Sequence, residues 1–365
     1  MPNEIETTSF QIRRDDWSTT RFVTAQQGEL APGQVLFRVD RFALTSNNIS
    51  YALSGDMIGY WKFFPVEEEG WGRIPVMGFA DVLASKHPEV EAGERVFGFF
   101  PMASHLVIEA DAVSATSFSD GAAHRAESAP VYRQYNRAPA DPIYKPEHED
   151  AIMLLRGLFL TSFLVDDFID DNARFGARSF VVSSASSKTG LALGHLLARR
   201  NAGPVIGLTS ARNAAFVESL GCFDRVVLYE DLKSLPADVP TVFIDHSGNG
   251  DVVNALHHHF KDNMMHSCMV GATHWESGNR ADDLPGAAPT FFFAPSQIQK
   301  RIADWGPAGF GERVAASWET FRASTDPWLE VVRSRGPEAV ERVYREVLAG
   351  RAVPQQGQVL SLWAD

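Results

Sequence analysis

An apolar run ending at Val181-Val182 breaks into a turn of small and polar residues, Ser183-Ser184-Ala185-Ser186-Ser187-Lys188-Thr189-Gly190, and that turn opens a helix continuing to Arg200. No other stretch constrains the fold of this chain as much. A strand running through such a turn into a helix gathers backbone N–H groups and a positive helix end at one point, which suits a phosphate group. The alternation then repeats. The helix ends on Asn201-Ala202-Gly203, and strands are expected at Val205–Leu208, Arg225–Tyr229, Val242–Asp245 and Cys268–Gly271, with helices at about Asn213–Leu220 and Asp251–Phe260. Near-continuous apolar strands between amphipathic helices dictate a parallel sheet covered on both faces. The expected class is α/β, with this sheet doubly wound.

The first 110 residues have a different grammar. Gln34–Phe42 alternates apolar and polar residues, and Gly93–Phe100 reads as a turn entering a strand. Residues 111–150 are polar and carry Pro and Tyr, so they read as a long excursion whose length suggests function or mobility. A helix is expected from Ala151 to Ile169, and Gly357–Leu362 is expected to be a strand returning to the first domain. The implied division is a β-rich domain over 1–150, completed by about 326–365, and an α/β domain over 151–325. A net charge of -13 argues against a nucleic-acid partner, which needs clustered Lys and Arg. Met1–Glu6 has neither a basic nor an apolar region of the secretory kind, and no apolar segment is long enough to span a bilayer. Two cysteines, Cys222 and Cys268, suggest neither a disulfide framework nor a zinc site. The expectation is a cytoplasmic protein acting on a small molecule.

The turn at 183–190 supplies the first candidate site residues. Ser184, Ser186, Ser187, Lys188, Thr189 and Gly190 would surround a pyrophosphate: serines cap the helix, and Gly190 lets helix and strand approach closely. Lys188 opposes the helix dipole, which makes sense when an anion sits there. The end of the second strand selects the dinucleotide. Asp or Glu there would bind a ribose 2′-hydroxyl, but the chain reads Thr209-Ser210-Ala211-Arg212. Two hydroxyls and a guanidinium suit a 2′-phosphate, so NADP(H) is expected over NAD(H). Ser247 and Gly248 in the turn after the fourth strand, and Gly271 after the fifth, complete the expected cofactor set. His257-His258-His259 point about 100° apart on a helix and cannot converge on a metal, so a solvated helix end is expected. Tyr60–Phe64 and Phe291–Phe293 read as core packing or an apolar substrate pocket, with Tyr132 and Tyr135 as further candidates for it.

These pieces together resemble the medium-chain dehydrogenase/reductase superfamily, on its zinc-free, quinone-oxidoreductase-like side. Its Asn-Tyr-x-Asp signature is mirrored by Asn48-Ile49-Ser50-Tyr51, and its Gly-Asp-Arg-Val turn by Gly93-Glu94-Arg95-Val96. Its helical Thr-Ala pair resembles Thr161-Ser162, which adds Thr161 to the cofactor candidates, and its Ala-Ser-Gly-Gly-Val-Gly loop resembles Ala185–Gly190. Its Asp-x-x-Gly-Gly turn is similar to Asp245–Asn249. The Ser-Ser-Ala-Ser-Ser-Lys-Thr spelling looks most like a bacterial branch known only as a domain of unknown function.

The resemblance implies a GroES-like β-rich domain followed by a Rossmann domain, and a homodimer joined by edge strands. It also implies NADP(H)-dependent hydride transfer to an activated C=C or C=O of a small apolar, quinone- or enone-like substrate. Several residues depart from the pattern. Ser187 and Lys188 replace loop glycines, Tyr51 replaces the Asp, Asn48 stands where zinc enzymes have a cysteine ligand, and Gly78-Phe79-Ala80-Asp81 replaces Gly-His-Glu. No catalytic zinc is therefore expected. Hydrogen bonds must then stabilise the developing oxyanion, with Asn48 and Tyr51 as the expected catalytic residues and Tyr51 or a water as proton donor. The rival expectation is a non-catalytic NADP(H)-binding or redox-sensing protein that kept the fold.

Overall fold

The computed structural model describes residues 5–270 and 284–364. The chain divides into two units, residues 1–154 with 327–365 and residues 155–326.

In the first unit, β1 (Ile5–Arg13) pairs antiparallel with β2 (Thr20–Gln27). Its other edge meets the two-residue β4 (Trp71–Gly72), which follows β3 (Gln34–Leu44) and α1 (Ser46–Leu53). β3 also begins a closed sheet. It continues through β5 (Pro75–Ser85), β6 (Arg95–Pro101), β9 (Gln134–Arg137), β8 (Ser117–Asp120) and β7 (His105–Asp111), which pairs back onto β3. Closure leaves no free edge among these strands and encloses an aromatic core. The ring of Phe37 lies 5.7 Å from that of Phe100 and 5.0 Å from that of Tyr135. At Gly98 the wall admits no side chain, since a Cβ there would sit 2.7 Å from the Tyr135 ring.

This corrects the expectation for residues 111–150. They are no excursion: β8, the short α2 (Pro130–Arg133) and β9 belong to the closed sheet and its rim. Their polar composition reflects four-residue strands whose alternate side chains face water, with Phe118 and Tyr135 turned inward.

A buried ion cluster sits where α3 (Glu149–Asp171) begins. The Glu149 carboxylate accepts hydrogen bonds from Arg95 Nε at 2.6 Å, Arg41 Nη2 at 2.6 Å and the Tyr144 hydroxyl at 3.0 Å. Burial alone would raise its pKa, but the two guanidinium groups outweigh that and hold the carboxyl below its ordinary range. Arg95 of the Gly-Glu-Arg-Val turn thus serves the fold.

The second unit carries a six-stranded parallel sheet. Its strands are β10 (Ser179–Val182), β11 (Val205–Thr209), β12 (Arg225–Leu228), β13 (Thr241–Asp245), β14 (Met264–Met269) and β15 (Pro289–Phe291), in the order β12-β11-β10-β13-β14-β15. α4 (Lys188–Arg200) buries Leu191, Leu193, Leu196 and Leu197 and stops where Asn201 turns to φ 51°. α5 (Ala211–Ser219) starts two residues before its expected position because Ser210 takes the N-cap. α6 (Gly250–Phe260) buries Val253, Leu256, His257 and Phe260.

His257 overturns the expectation of a solvated helix end. It falls on the apolar stripe of α6, is fully buried, and bonds the Pro285 carbonyl at 2.9 Å and Ser267 Oγ at 3.0 Å. α7 (Ala294–Thr325) is interrupted at Gly306 (φ 70°) and Pro307. The chain then returns to the first unit as β16 (Glu330–Arg335), α8 (Pro337–Leu348) and β17 (Gln356–Ser361). β17 pairs parallel with β16 and antiparallel with the second half of β3, Leu360 opposite Phe42. Among the described residues, no helix is long and apolar enough to cross a membrane.

Candidate functional site

The strand order of the second unit fixes where a ligand can lie. β11 and β12 are on one side of β10, while β13, β14 and β15 are on the other. The order therefore reverses between β10 and β13, and doubly wound sheets bind ligands beyond the carboxyl ends of the strands at such a point.

The loop leaving β10 is tightly determined. Ser184 adopts the left-handed φ of 49°, a conformation usually left to glycine. Its N–H donates to the Tyr229 hydroxyl at 2.8 Å, and its carbonyl accepts from Ser187 N–H at 2.8 Å. Ser187 caps α4, its hydroxyl accepting from Gly190 N–H at 3.0 Å, and Ser186 Oγ accepts from Asn213 Nδ2 at 3.0 Å. Gly190 is obligatory: a Cβ there would lie 2.5 Å from the Ser184 carbonyl oxygen. From α3, Ser162 Oγ donates to the Thr189 carbonyl at 2.8 Å, whereas Thr161 Oγ1 turns to the Gly157 carbonyl of its own helix at 3.0 Å. Of the pair Thr161-Ser162, the serine reaches the loop.

Two cations stand in first turns of helices here. Lys188 opens α4, and burial pushes its ammonium down to about 8. Arg212 is the second residue of α5, is exposed, and has no ion-pair partner among the described residues. Beside it Ser210 makes no side-chain cap bond, and Thr209, 1% exposed, has its hydroxyl without a hydrogen-bond partner among the described residues.

The β13 side is built around one carboxylate. Asp245 accepts from Ser183 Oγ at 2.6 Å, Ser247 N–H at 2.9 Å, Ser247 Oγ at 2.7 Å and Gly248 N–H at 3.1 Å. Ser183 Oγ in turn accepts from His246 N–H at 2.8 Å. Ser247 and Gly248 (φ 59°) therefore form a fixed turn against the end of β10. Gly271 and its successors Ala272-Thr273-His274 lie outside the described residues.

Sequence reasoning missed three residues. Ser183 stands in the opening turn and Ser162 in the helical pair, but neither is singled out as a site residue. Tyr229 has a signal: it follows the third strand, whose register with β11 ends at Thr209 opposite Leu228. The parallel register thus brings it level with the loop.

The expected catalytic residues lie in the first unit. Asn48 Oδ1 accepts from Thr45 N–H at 2.7 Å and its Nδ2 donates to the Pro75 carbonyl at 2.9 Å, so the amide secures the first turn of α1. Tyr51, on the same helix, stacks on Tyr60 with ring centroids 4.4 Å apart. Tyr60 in turn packs against Phe63 and Tyr132, at 5.2 and 5.7 Å. Fully buried Arg125 anchors this group, donating from Nη1 to the Phe63 carbonyl at 3.0 Å and lying 4.6 Å from the Phe63 ring. Burial among these rings pushes the Tyr51 phenol well above its ordinary range, so it stays a protonated donor. Tyr135 belongs elsewhere, in the closed sheet, with its hydroxyl on the Phe99 carbonyl at 3.1 Å. Phe291 and Phe293 are exposed at the β15 edge of the second unit, far along the sheet from β10. Among the described residues no three His, Cys, Asp or Glu side chains gather in a way that would hold a metal ion.

Solved structures share this architecture along nearly the whole chain. CurA from Vibrio vulnificus, in complex with NADPH, superposes with a TM-score of 0.61 at 14% identity, covering 97% of this chain and 98% of that one. A putative NADPH:quinone reductase from Mesorhizobium loti gives 0.60 at 12% identity, with 99% of each chain covered. The quinone oxidoreductase from Coxiella burnetii gives 0.53 at 15% identity, covering 98% of this chain and 99% of that one. At such identities the likeness is one of fold: a GroES-like β-rich unit and a doubly wound Rossmann unit. No curated protein matches the sequence. A family model, described as a protein of unknown function (DUF2855), matches residues 42–353.

Proposed function

The chain belongs to the DUF2855 family of proteins of unknown function, and for this member we propose an NADP(H)-dependent, zinc-independent oxidoreductase of the medium-chain type. Its substrate is a small, mostly apolar molecule with an activated C=C or C=O. The observation that carries this reading is the pair of cations, Lys188 and Arg212, in the first turns of α4 and α5, where helix dipoles disfavour positive charge. A dinucleotide bearing a 2′-phosphate brings two anionic groups to this edge of the sheet. The pyrophosphate falls to Lys188, Thr189 and the capped start of α4, and the 2′-phosphate to Ser210 and Arg212. The lone Thr209 hydroxyl gains a partner from the ribose, and the Ser247–Gly248 turn frames the β13 side. The fold shared with an NADPH-bound protein supports the same choice.

When bound, the nicotinamide supplies the hydride. The chain's part is to orient the substrate and move a proton. Tyr51, held protonated by its buried setting, donates to the developing oxyanion, and Asn48 fixes the helix turn that carries it. Neither Asn48, committed to Thr45 and Pro75, nor the buried hydrocarbon of Phe79 offers a metal-binding atom. The clustered rings of Tyr51, Tyr60, Phe63 and Tyr132 suit a flat apolar substrate such as a quinone or enone.

The test is substrate-dependent oxidation of NADPH across quinones, enones and aldehydes. A protein that binds NADPH and oxidises it with none of them is not this enzyme. In the same assay Tyr51→Phe lowers kcat by roughly 10²–10⁴-fold, the usual worth of a positioned acid, with NADPH affinity unchanged. Full turnover by that variant removes Tyr51 from the mechanism.

The assembly is a homodimer through β15, the edge of the parallel sheet, where Phe291 and Phe293 are exposed at 46% and 45%. Light scattering on Phe291→Asp should then show the monomer mass where the wild type shows twice that value. A monomeric wild type ends this assignment.

A further inference from the structure

The residue just past β13, His246, has no role in the scheme above, yet it holds a pair of buried nitrogens to which no described residue is bonded. Its backbone N–H is spent on Ser183 Oγ at 2.8 Å, which ties it to the reversal between β10 and β13. Both ring nitrogens are buried, and neither has a hydrogen-bond partner among the described residues. Buried polar groups are ordinarily paired, because an unmet donor or acceptor forfeits its hydration without return. Asp245, the neighbouring carboxylate, cannot serve: its oxygens are taken by Ser183, Ser247 and Gly248.

Among the described residues two other histidines keep a buried, unbonded nitrogen, and neither stands at this edge: His148 belongs to the first unit. His266 stacks on Phe175, ring centroids 4.0 Å apart, and lies near the start of β14 rather than at a carboxyl end. Among the described histidines with an unbonded nitrogen, His246 alone stands at the carboxyl end of the parallel strands.

Its position also says which part of a ligand it meets. A dinucleotide laid across this edge places its pyrophosphate over α4 and its phosphorylated ribose beyond β11, on one side of β10. The other nucleoside must then extend to the β13 side. We propose that His246 hydrogen-bonds the nicotinamide-riboside half of the cofactor. A neutral imidazole offers one N–H donor and one bare acceptor, which matches the primary carboxamide, itself donor and acceptor, or a ribose hydroxyl. Burial keeps the ring neutral by pushing its pKa down to about 4. The residue as a whole is only half-buried. The assignment rests on the NADP(H) reading and deepens it.

The test separates the two halves of the cofactor. Wild type, His246→Leu and His246→Asn are titrated with NADPH and with 2′,5′-ADP, which carries the phosphorylated adenosine but no nicotinamide. The leucine variant should bind NADPH about tenfold more weakly, the worth of one hydrogen bond to a neutral group, while its 2′,5′-ADP affinity stays within about twofold. The asparagine variant, which keeps a donor and an acceptor, should recover part of the loss. Retained 2′,5′-ADP affinity also reports a folded site. Unchanged NADPH affinity in both variants, or equal losses for both ligands, overturns the assignment. A wild-type protein that binds neither ligand overturns the NADP(H) reading itself and this assignment with it.

Discussion

Arg212→Ala should bind NADPH roughly 10–100-fold more weakly than the wild type and bind NADH equally well. The range follows from a charge-assisted hydrogen bond to phosphate, worth about 1.5–3 kcal/mol. The effect should be confined to the 2′-phosphate because Arg212 does no other work among the described residues: it is exposed and without an ion pair, and alanine is a good residue in the first turn of α5. Added salt should shrink the gap between the two cofactors, as it does for exposed charges. Fluorescence titration of both proteins with both cofactors reads the difference directly. Equal losses for NADPH and NADH would place Arg212 away from the 2′-phosphate and leave the choice of cofactor to other residues.

Asp245→Ala should cost the second unit about 3–5 kcal/mol, one of the largest single-residue losses this chain offers. Its carboxylate, 2% exposed, is the acceptor for Ser183 Oγ, Ser247 N–H and Oγ, and Gly248 N–H. Alanine strands these donors together, and each unmet donor costs about 1 kcal/mol or more. For a unit of this size the thermal midpoint should fall by roughly 10 °C, read by calorimetry. Asp245→Asn, which keeps one acceptor oxygen, should lose clearly less. An alanine variant within about 1 kcal/mol of wild type would mean that water replaces the carboxylate and that the turn does not depend on it.

The parts of the molecule that were legible in the sequence are those encoded locally. Val181-Val182, the Ser187 cap and the left-handed stop at Asn201 carry a strand, a turn and a helix within about twenty consecutive residues. The parts that were not legible depend on distant partners. β8 and β9 are four residues each, too short for a period to show, and they become strands by pairing with β7, with β6 and with each other. His257 reads as one of three identical neighbours until the Pro285 carbonyl and Ser267 give its nitrogens partners. In the cofactor loop the serines and Gly190 announce themselves, but Tyr229 and Ser162 reach it from another strand and another helix. A motif names the residues on its own segment, and those that arrive from elsewhere appear only once register is known.

The return of the chain to its first unit also bears on how the protein is made. β17 supplies the partner for Phe42–Leu44 of β3, yet it is synthesised only after all of residues 155–326. The parallel sheet draws on one continuous stretch and can assemble as it leaves the ribosome, independently of residues 327–365. The older half of the polypeptide must meanwhile wait, with one edge of β3 open and its apolar residues Phe42 and Leu44 lacking part of their cover. Vectorial synthesis thus reverses the order of the sequence: the stretch written in the middle matures first, and the beginning is finished by the end. During that interval the open backbone edge of β3 is the surface through which nascent copies would pair wrongly with one another.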